Sequence, residues 1–155
     1  MSIGIESEKL IGIKSGSFDP HDGGPGLQGS VCVLFTSTDQ TLKALEKACE
    51  LAKSFSGRVS VVATPIVPFP LPLDEPPIPS KFIIGRFAEQ AGQFQANISI
   101  LTYLCRDRLE ALKRILPHNS IIIIGVRRKW WPTYDERLAQ TLRRAGYAVL
   151  LLEAE

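Results

Sequence analysis

The residues best suited to chemistry form a basic and aromatic segment, RRKWW at residues 127–131, which follows a run of isoleucines. Guanidinium groups bind phosphates and carboxylates through paired hydrogen bonds, and indole rings stack on flat ligands or anchor protein contacts. The isoleucines, residues 121–124, predict a strand buried on both faces, because the run is too β-branched for a helix and too short for a membrane span. We expect this strand to end at Gly125 and the basic segment to form the loop after it. Open α/β sheets build ligand sites at such carboxyl ends of strands.

A second polar group, TSTD at residues 36–39, follows the apolar run VCVLF. If the two strands are neighbours at a switch point of the sheet, their turns face each other and bring hydroxyls, guanidiniums and a helix amino terminus together. The candidate ligand-binding residues at this edge are Thr36, Ser37, Thr38, Asp39, Ala63, Gly125, Arg127 and Arg128. The alternative is that Arg127, Arg128 and Lys129 are only solvated charges on a loop, and the sequence leaves both open.

Alternating strand and helix patterns supply the elements that would hold these residues. The predicted strands are residues 31–36, 58–64, 97–104, 120–125 and 147–153. The predicted helices are residues 41–55 behind the cap residues 37–39, residues 81–94 behind Ser80, a helix from 106 or 107 to 116, and a last helix from the capping box TYDE at 133–136 to Gly146. This alternation requires crossover connections, so we predict a three-layer α/β/α sandwich with a five-stranded parallel sheet.

Two segments lack this alternation. Residues 1–30 are rich in Gly, Pro, Asp and Ser, and we expect an N-terminal extension or linker before a domain at residues 31–155. A short strand near Ile11 could add to a sheet edge, and His21 is expected in a solvated turn rather than at a metal. Residues 65–79 contain seven prolines, which exclude a helix or a central strand and predict a stiff, extended loop.

Composition argues against several functional classes. A net charge of +2 over 155 residues is too small to indicate general nucleic-acid binding, and no apolar run is long enough to span a membrane. The three cysteines have no CxxC spacing, which indicates reduced thiols, and we expect a soluble, cytoplasmic protein. Cys105 and His118 should lie at opposite ends of the sheet, and no acidic pair follows the first strand. We therefore expect neither a catalytic residue nor a metal site.

Four segments, in this order, resemble the universal stress protein family. They are VCVLFT with the Ala-rich helix TLKALEKACELA, then RVSVVATPIVP, SIIIIGVRR and YAVLLLE, and the resemblance extends over about residues 30–153. It implies the strand order 3-2-1-4-5 and, as in many members, a homodimer through the last strand. An unpaired apolar edge favours strand addition. The candidate dimer residues are Val149, Leu150, Leu151 and Leu152.

The nucleotide-binding motif of that family is incomplete in this chain. The resemblance implies Gly, two residues, Gly, nine residues, then Gly with Ser or Thr, and these glycines let backbone amides enclose phosphates. Gly125 matches the first glycine, Arg128 stands at the second, and no Gly-Ser or Gly-Thr follows before Gly146. Members that bind nucleotides also carry an acid at the end of the first strand, where this chain has Thr36.

We therefore expect a non-catalytic, dimeric stress-response domain that acts through protein contact or by sensing a small ligand, without a required cofactor. The alternative is a module that binds ATP or AMP, in which Arg127 and Arg128 replace the glycine loop and the proline segment covers the base. Trp130 and Trp131 would stack on a base or on a partner's cation, or would instead pack on their own domain or on a second copy.

Overall fold

Six strands and four helices alternate along the described part of the chain. The computed structural model of the protein describes residues 10–15, 31–54, 58–72, 80–94, 98–127 and 129–154. The elements are β1 (Leu10–Ser15), β2 (Val31–Leu34), α1 (Thr38–Ser54), β3 (Val59–Ala63), α2 (Ser80–Ala91), β4 (Ile98–Tyr103), α3 (Arg108–Ile115), β5 (Ile121–Arg127), α4 (Tyr134–Arg144) and β6 (Ala148–Ala154).

All strands belong to one sheet, in the order β1-β4-β3-β2-β5-β6. The neighbours from β4 to β6 are parallel, as crossover helices require. Counted from β2, this order is 3-2-1-4-5, so the predicted fold class and strand order are confirmed. β1 adds a sixth strand that pairs antiparallel with β4, with Ile11 opposite Thr102. Part of the predicted N-terminal extension therefore belongs to the sheet, as the weak strand pattern near Ile11 indicated.

The core lies in two layers, one on each face of the sheet. On one face, Val33 of β2 and Ile123 of β5 pack with α1 and α2. On the other, Ile122 and Ile124 pack with α3 and α4. All three of these isoleucines are fully buried, which confirms that β5 is covered on both faces.

The structure corrects the predicted end of the isoleucine strand. β5 continues through Gly125 and Val126 to Arg127, because β6 remains paired beside it. In that register Gly125 lies opposite Leu152, and Arg127 lies opposite Ala154. A glycine weakens a strand, but a neighbouring strand that supplies hydrogen bonds overrides this local preference. Arg127 is thus the last residue of a strand, and the loop begins after it.

The ends of α3 and α4 follow the predicted capping residues, whereas Ser80, Thr38 and Asp39 lie inside their helices. Asp107 accepts a hydrogen bond from the Glu110 N–H (3.1 Å) at the start of α3. Thr133 and Glu136 form the predicted capping box of α4, and Gly146 has the positive φ of 100° that glycine adopts without strain. The prediction for α2 was too long, since the helix ends at Ala91. Its buried face includes Ile84 and Phe87.

The proline segment begins extended and tied to the end of β4, and a turn follows at residues 68–71, where the Leu71 N–H donates to the Pro68 carbonyl (3.1 Å). The predicted extended loop is therefore only partly correct. The Val67 N–H donates to the Cys105 carbonyl (2.9 Å), and the Cys105 N–H donates to the Pro65 carbonyl (3.1 Å). The Arg106 guanidinium adds a hydrogen bond to the Val67 carbonyl (2.9 Å). Residues 73–79 of the segment lie outside the described residues. Across the described ranges, no helix is long and apolar enough to cross a membrane.

Candidate functional site

A cleft opens at the carboxyl edge of the sheet, where the chain leaves the neighbouring strands β2 and β5. The cleft has a volume of about 390 Å³, within the range typical of small-molecule sites. It is lined by Thr36, Ser37, Gln40, Arg127, Lys129, Thr133, Tyr134 and Asp135. This is the switch point of the sheet, where open α/β folds place their ligands.

Two helices direct their amino-terminal ends at this cleft. The Ser37 hydroxyl, just before α1, accepts a hydrogen bond from the Gln40 N–H (3.4 Å). The Thr133 hydroxyl, just before α4, accepts from the Glu136 N–H (3.3 Å). The first turn of a helix carries partial positive charge from its unpaired N–H groups, so both helices favour an anion in the cleft.

Gln40 and Thr36 join the first turn of α1 to the end of β5. The Gln40 amide donates to the Gly125 carbonyl (3.2 Å) and accepts from the Arg127 N–H (3.2 Å) in the orientation that satisfies both partners. The Thr36 hydroxyl also donates to the Gly125 carbonyl (3.1 Å). Since β2 ends at Leu34, these side chains bond backbone groups of β5 that lie beyond its last β2 partner. They hold Arg127 at a fixed place on the cleft wall.

Gly125 is required by this close approach of α1. A Cβ atom built at Gly125 would overlap the carbonyl oxygen of Gln40 and would lie 2.9 Å from its carbonyl carbon. Real Cβ atoms do not approach backbone so closely. The glycine that the family resemblance assigns to a phosphate loop therefore has a packing role in this chain.

The basic side chains that line the cleft are Arg127 and Lys129. Among the described residues, neither the guanidinium of Arg127 nor the ammonium of Lys129 forms a hydrogen bond or a salt bridge. The Lys129 Nζ lies 5.5 Å from the ring centroid of Trp131, which is a weak cation–π contact. Both side chains remain able to bind an incoming anion.

Asp135 brings a carboxylate into the same cleft. Burial raises the pKa of Asp135 above its ordinary value; the nearby Arg108 opposes that shift, and Glu136 adds to it. The guanidinium of Arg108 lies over the Tyr134 ring (5.4 Å to the centroid) and donates from Nε to the Thr64 carbonyl (3.4 Å). The cleft is thus basic overall but carries one acidic group that is held partly out of water.

The structure brings together some of the predicted site residues and separates others. Thr36, Ser37 and Arg127 line the cleft, and Gly125 lies behind Gln40. Three predicted residues fall outside the cleft lining: Thr38 and Asp39, which open α1, and Ala63, which is buried at the end of β3. Arg128 lies outside the described residues.

Sequence reasoning missed several lining residues, although a signal for them was present. These are Gln40, Thr133, Tyr134 and Asp135, with Lys129 regarded only as a solvated charge. The capping box marks the start of a helix directly after the loop that leaves β5. A helix that follows a strand by a short loop must begin at the carboxyl edge of that strand, so its first turn belongs to the switch point.

The last two positions of the family's phosphate-binding motif fall in a helix of this chain. Counted from residue 128, the third glycine of the family motif falls at Leu138 and the Ser or Thr at Ala139. Both lie in α4 and pack into the core, with Leu138 7% and Ala139 0% exposed. Their backbone amides are committed to a helix, so they cannot enclose phosphates as a loop would.

The two tryptophans lie beside the cleft and are exposed. Trp130 is 91% and Trp131 46% exposed, and their rings meet edge to face at 4.8 Å. The interpretation of Trp130 as a lid packed on its own domain is therefore wrong. Its roles in stacking or partner contact stay predictions. Exposed aromatic residues of this size are typical of contact surfaces.

Other chemically capable residues lie apart from the cleft. Cys105 is buried after β4, whereas His118 lies between α3 and β5 and stacks on Tyr147 at 4.5 Å. Because β4 and β5 are parallel within one sheet, these two positions are at opposite ends of it. Within the described ranges, no group of three His, Cys, Asp or Glu residues could hold a metal ion.

The predicted dimer residues form the last strand of the sheet. Leu150 is 38% exposed, and Val149, Leu151 and Leu152 are half-buried. The guanidinium of Arg143 donates two hydrogen bonds to the Val149 carbonyl (3.1 and 2.9 Å). This side chain therefore occupies one backbone acceptor of β6, which is the outermost described strand on that side of the sheet.

Comparison with known proteins gives a match among solved structures but none by sequence. No family model matches the sequence, and no curated protein matches it. A similar solved structure is described as the crystal structure of a protein from the universal stress protein family from Burkholderia pseudomallei. The two chains are 19% identical, the match covers 84% of this chain and 99% of that chain, and the TM-score is 0.45.

Proposed function

We propose that this chain is a non-catalytic, universal-stress-protein-like domain that senses a small anionic ligand at the cleft between β2 and β5. The observation that carries the proposal is the set of positive groups around one cleft of about 390 Å³. Arg127 and Lys129 line it, and among the described residues neither side chain forms a hydrogen bond or a salt bridge. Two helices also begin at it. Switch-point clefts of this kind are the usual ligand sites of doubly wound sheets.

Anion binding follows from the balance of interactions in the cleft. A phosphate or carboxylate would pair with the Arg127 guanidinium and with the partial positive charge at the start of α1 and α4. Gln40 fixes the backbone of Arg127 before any ligand binds, so binding loses less conformational entropy than it would at a flexible loop. The hydroxyls of Ser37 and Tyr134 supply further hydrogen-bond donors at the cleft wall.

A nucleotide-binding module is the second candidate. The Tyr134 ring lines the cleft and the Trp131 ring lies next to Lys129, so aromatic surface adjoins the anion site. In this candidate Arg127 takes the place of the glycine loop, and Arg128 beside it would contribute a second guanidinium. Against it, Leu138 and Ala139 are buried in α4, so this chain has no loop at those positions to surround a triphosphate.

A thermal-shift series tests both candidates. We expect inorganic phosphate, small organic phosphates and small carboxylates to stabilise the protein. A ligand at 100 times its dissociation constant should raise the free energy of unfolding by about 2.7 kcal/mol. Arg127→Ala should abolish the shift, whereas Arg86→Ala, which removes an equal charge from the exposed face of α2, should preserve it. A shift seen only with ATP, ADP or AMP would favour the second candidate. No shift with any anion would contradict both.

We also propose that the domain forms a homodimer through β6, and that partner contact is how a bound ligand is signalled. Leu150 and its neighbours present apolar surface at the edge of the sheet, and such edges pair readily. The exposed tryptophans beside the cleft give a second contact surface, which a ligand in the cleft would influence directly through Lys129.

A further inference from the structure

Asp135 is the feature of the cleft that an anion site does not explain. Its carboxylate is partly buried at the mouth of a cleft whose other charged lining residues are Arg127 and Lys129. Among the described residues, no group donates a hydrogen bond to it and no cation lies within ion-pair distance. An anionic ligand alone would be repelled by this carboxylate.

A purely structural role accounts for Asp135 only in part. An acidic residue in the first turn of a helix is stabilising because it opposes the partial positive charge there. Glu136, however, already fills the capping role at the start of α4 through its bond with the Thr133 N–H (3.4 Å). Burial also raises the pKa of Asp135, so its charged form is less stable here than it would be in water.

The cation that lowers the pKa of Asp135, Arg108, is engaged with other groups. Arg108 influences Asp135 through space, yet its guanidinium is held by the Thr64 carbonyl and lies over the Tyr134 ring. Within the described part of the chain, the cleft therefore presents charges of both signs that no other side chain pairs. A ligand that carries both an anionic and a cationic group would satisfy all of these charges at once, whereas a simple anion would leave Asp135 unpaired.

We propose that the ligand of the cleft is a small zwitterion, whose anionic group binds Arg127 and Lys129 and whose ammonium group binds Asp135. This inference rests on the proposed function, because it assumes that the cleft binds a small anion. The cleft volume of about 390 Å³ suits a molecule of the size of an amino acid or a phosphorylated amino alcohol.

Matched probes that differ only in the ammonium group test this inference. We would titrate the whole protein with phosphoethanolamine and ethyl phosphate, and with glutamate and glutarate. The readout is intrinsic fluorescence, since the chain's two tryptophans lie beside the cleft. The ammonium-bearing probe of each pair should bind about tenfold more tightly, as expected for one added charge-assisted hydrogen bond.

Two variants separate the possible outcomes. Asp135→Asn should bring the affinity ratio within each pair to about one and should strengthen binding of ethyl phosphate. Arg127→Gln should weaken all probes. Equal affinities within each pair for the wild-type protein, or a ratio that survives in Asp135→Asn, would overturn the zwitterion inference and leave the anion site standing. Failure of all four probes to bind would contradict the proposed function as well.

Discussion

At the scale of single residues, Gly125 shows how one residue type can satisfy two different requirements. Its place after a buried strand matches the first glycine of a phosphate loop, and sequence reasoning could go no further than that match. The structure shows instead that the carbonyl of Gln40 occupies the space of a side chain at this position. Gln40 and Gly125 are 85 residues apart in the chain, so the local sequence around Gly125 carries no sign of their close approach.

Gly125→Ala tests this packing role. The added methyl group would force α1 away from β5, so we expect a loss of about 1–3 kcal/mol in the free energy of unfolding, measured by urea denaturation. Gly85→Ala is the matched control, because nothing lies within 4 Å of a Cβ built there. It removes a glycine from α2 and should stabilise by up to about 1 kcal/mol. Equal effects of the two variants would contradict the packing role.

Asp135 gives a prediction about pH. Its pKa is raised in the folded protein above the ordinary 3.8, so the folded state holds the proton of this carboxyl more tightly than the unfolded state does. The resulting stabilisation is present in full below pH 3.8 and is lost as the pH rises through the raised pKa. Wild-type protein should therefore become more stable relative to Asp135→Asn as the pH falls from 7 towards 4. Urea denaturation at several pH values measures this difference. A difference that stays constant with pH would show that burial does not penalise the carboxylate.

At the scale of elements, the sequence predicted the strands β2 to β6 and the four described helices, and it left β1 only as a possibility. Its other errors lie at the ends of the elements. Capping residues such as Asp107 and Thr133 were predictable because they act within one turn of the helix. The extension of β5 to Arg127 was not, because it depends on pairing with β6, which lies about 25 residues away in the chain. For the same reason the first turn of α4 was not recognised as part of the cleft.

Tyr147 links the start of β6 to the end of α3, and a substitution there measures what this link contributes to stability. Its hydroxyl, just before β6, contacts the carbonyls of Lys113 (3.1 Å) and Leu116 (3.0 Å) at the end of α3. Tyr147→Phe leaves these carbonyls without that donor, so we expect a loss of about 1 kcal/mol in thermal or urea denaturation. Tyr134→Phe, at an exposed ring, should change stability by less than about 0.5 kcal/mol. A neutral Tyr147→Phe would show that water replaces the hydroxyl.

At the scale of the whole molecule, the order of the strands was predictable, and the residues that line the cleft were only partly predictable. Alternating patterns require crossovers, and the resemblance implied an order that the sheet confirms. That order alone brings Ser37 and Arg127 together. It does not show which way a side chain such as Asp135 points, since that depends on how α4 packs on the finished sheet.

The proposed dimer gives a prediction at this scale. Leu150→Arg places a charge on the apolar edge of β6, and like charges would then face each other across the interface, so light scattering should report the mass of a monomer. Phe82→Arg, at an exposed position on α2, should leave the mass of a dimer. If both variants remain dimeric, the interface lies elsewhere, and the exposed tryptophans become the next surface to examine.

Backbone amide chemical-shift mapping in NMR, with phosphoethanolamine as the probe, locates the ligand site residue by residue. Because we place that site in the cleft between β2 and β5, we expect the largest shifts on residues 36–40 and 129–135 and on Arg127, with small shifts along α2 and at the outer edge of β6. Shifts concentrated on the proline segment or on β6, with the cleft unaffected, would show that the site lies elsewhere.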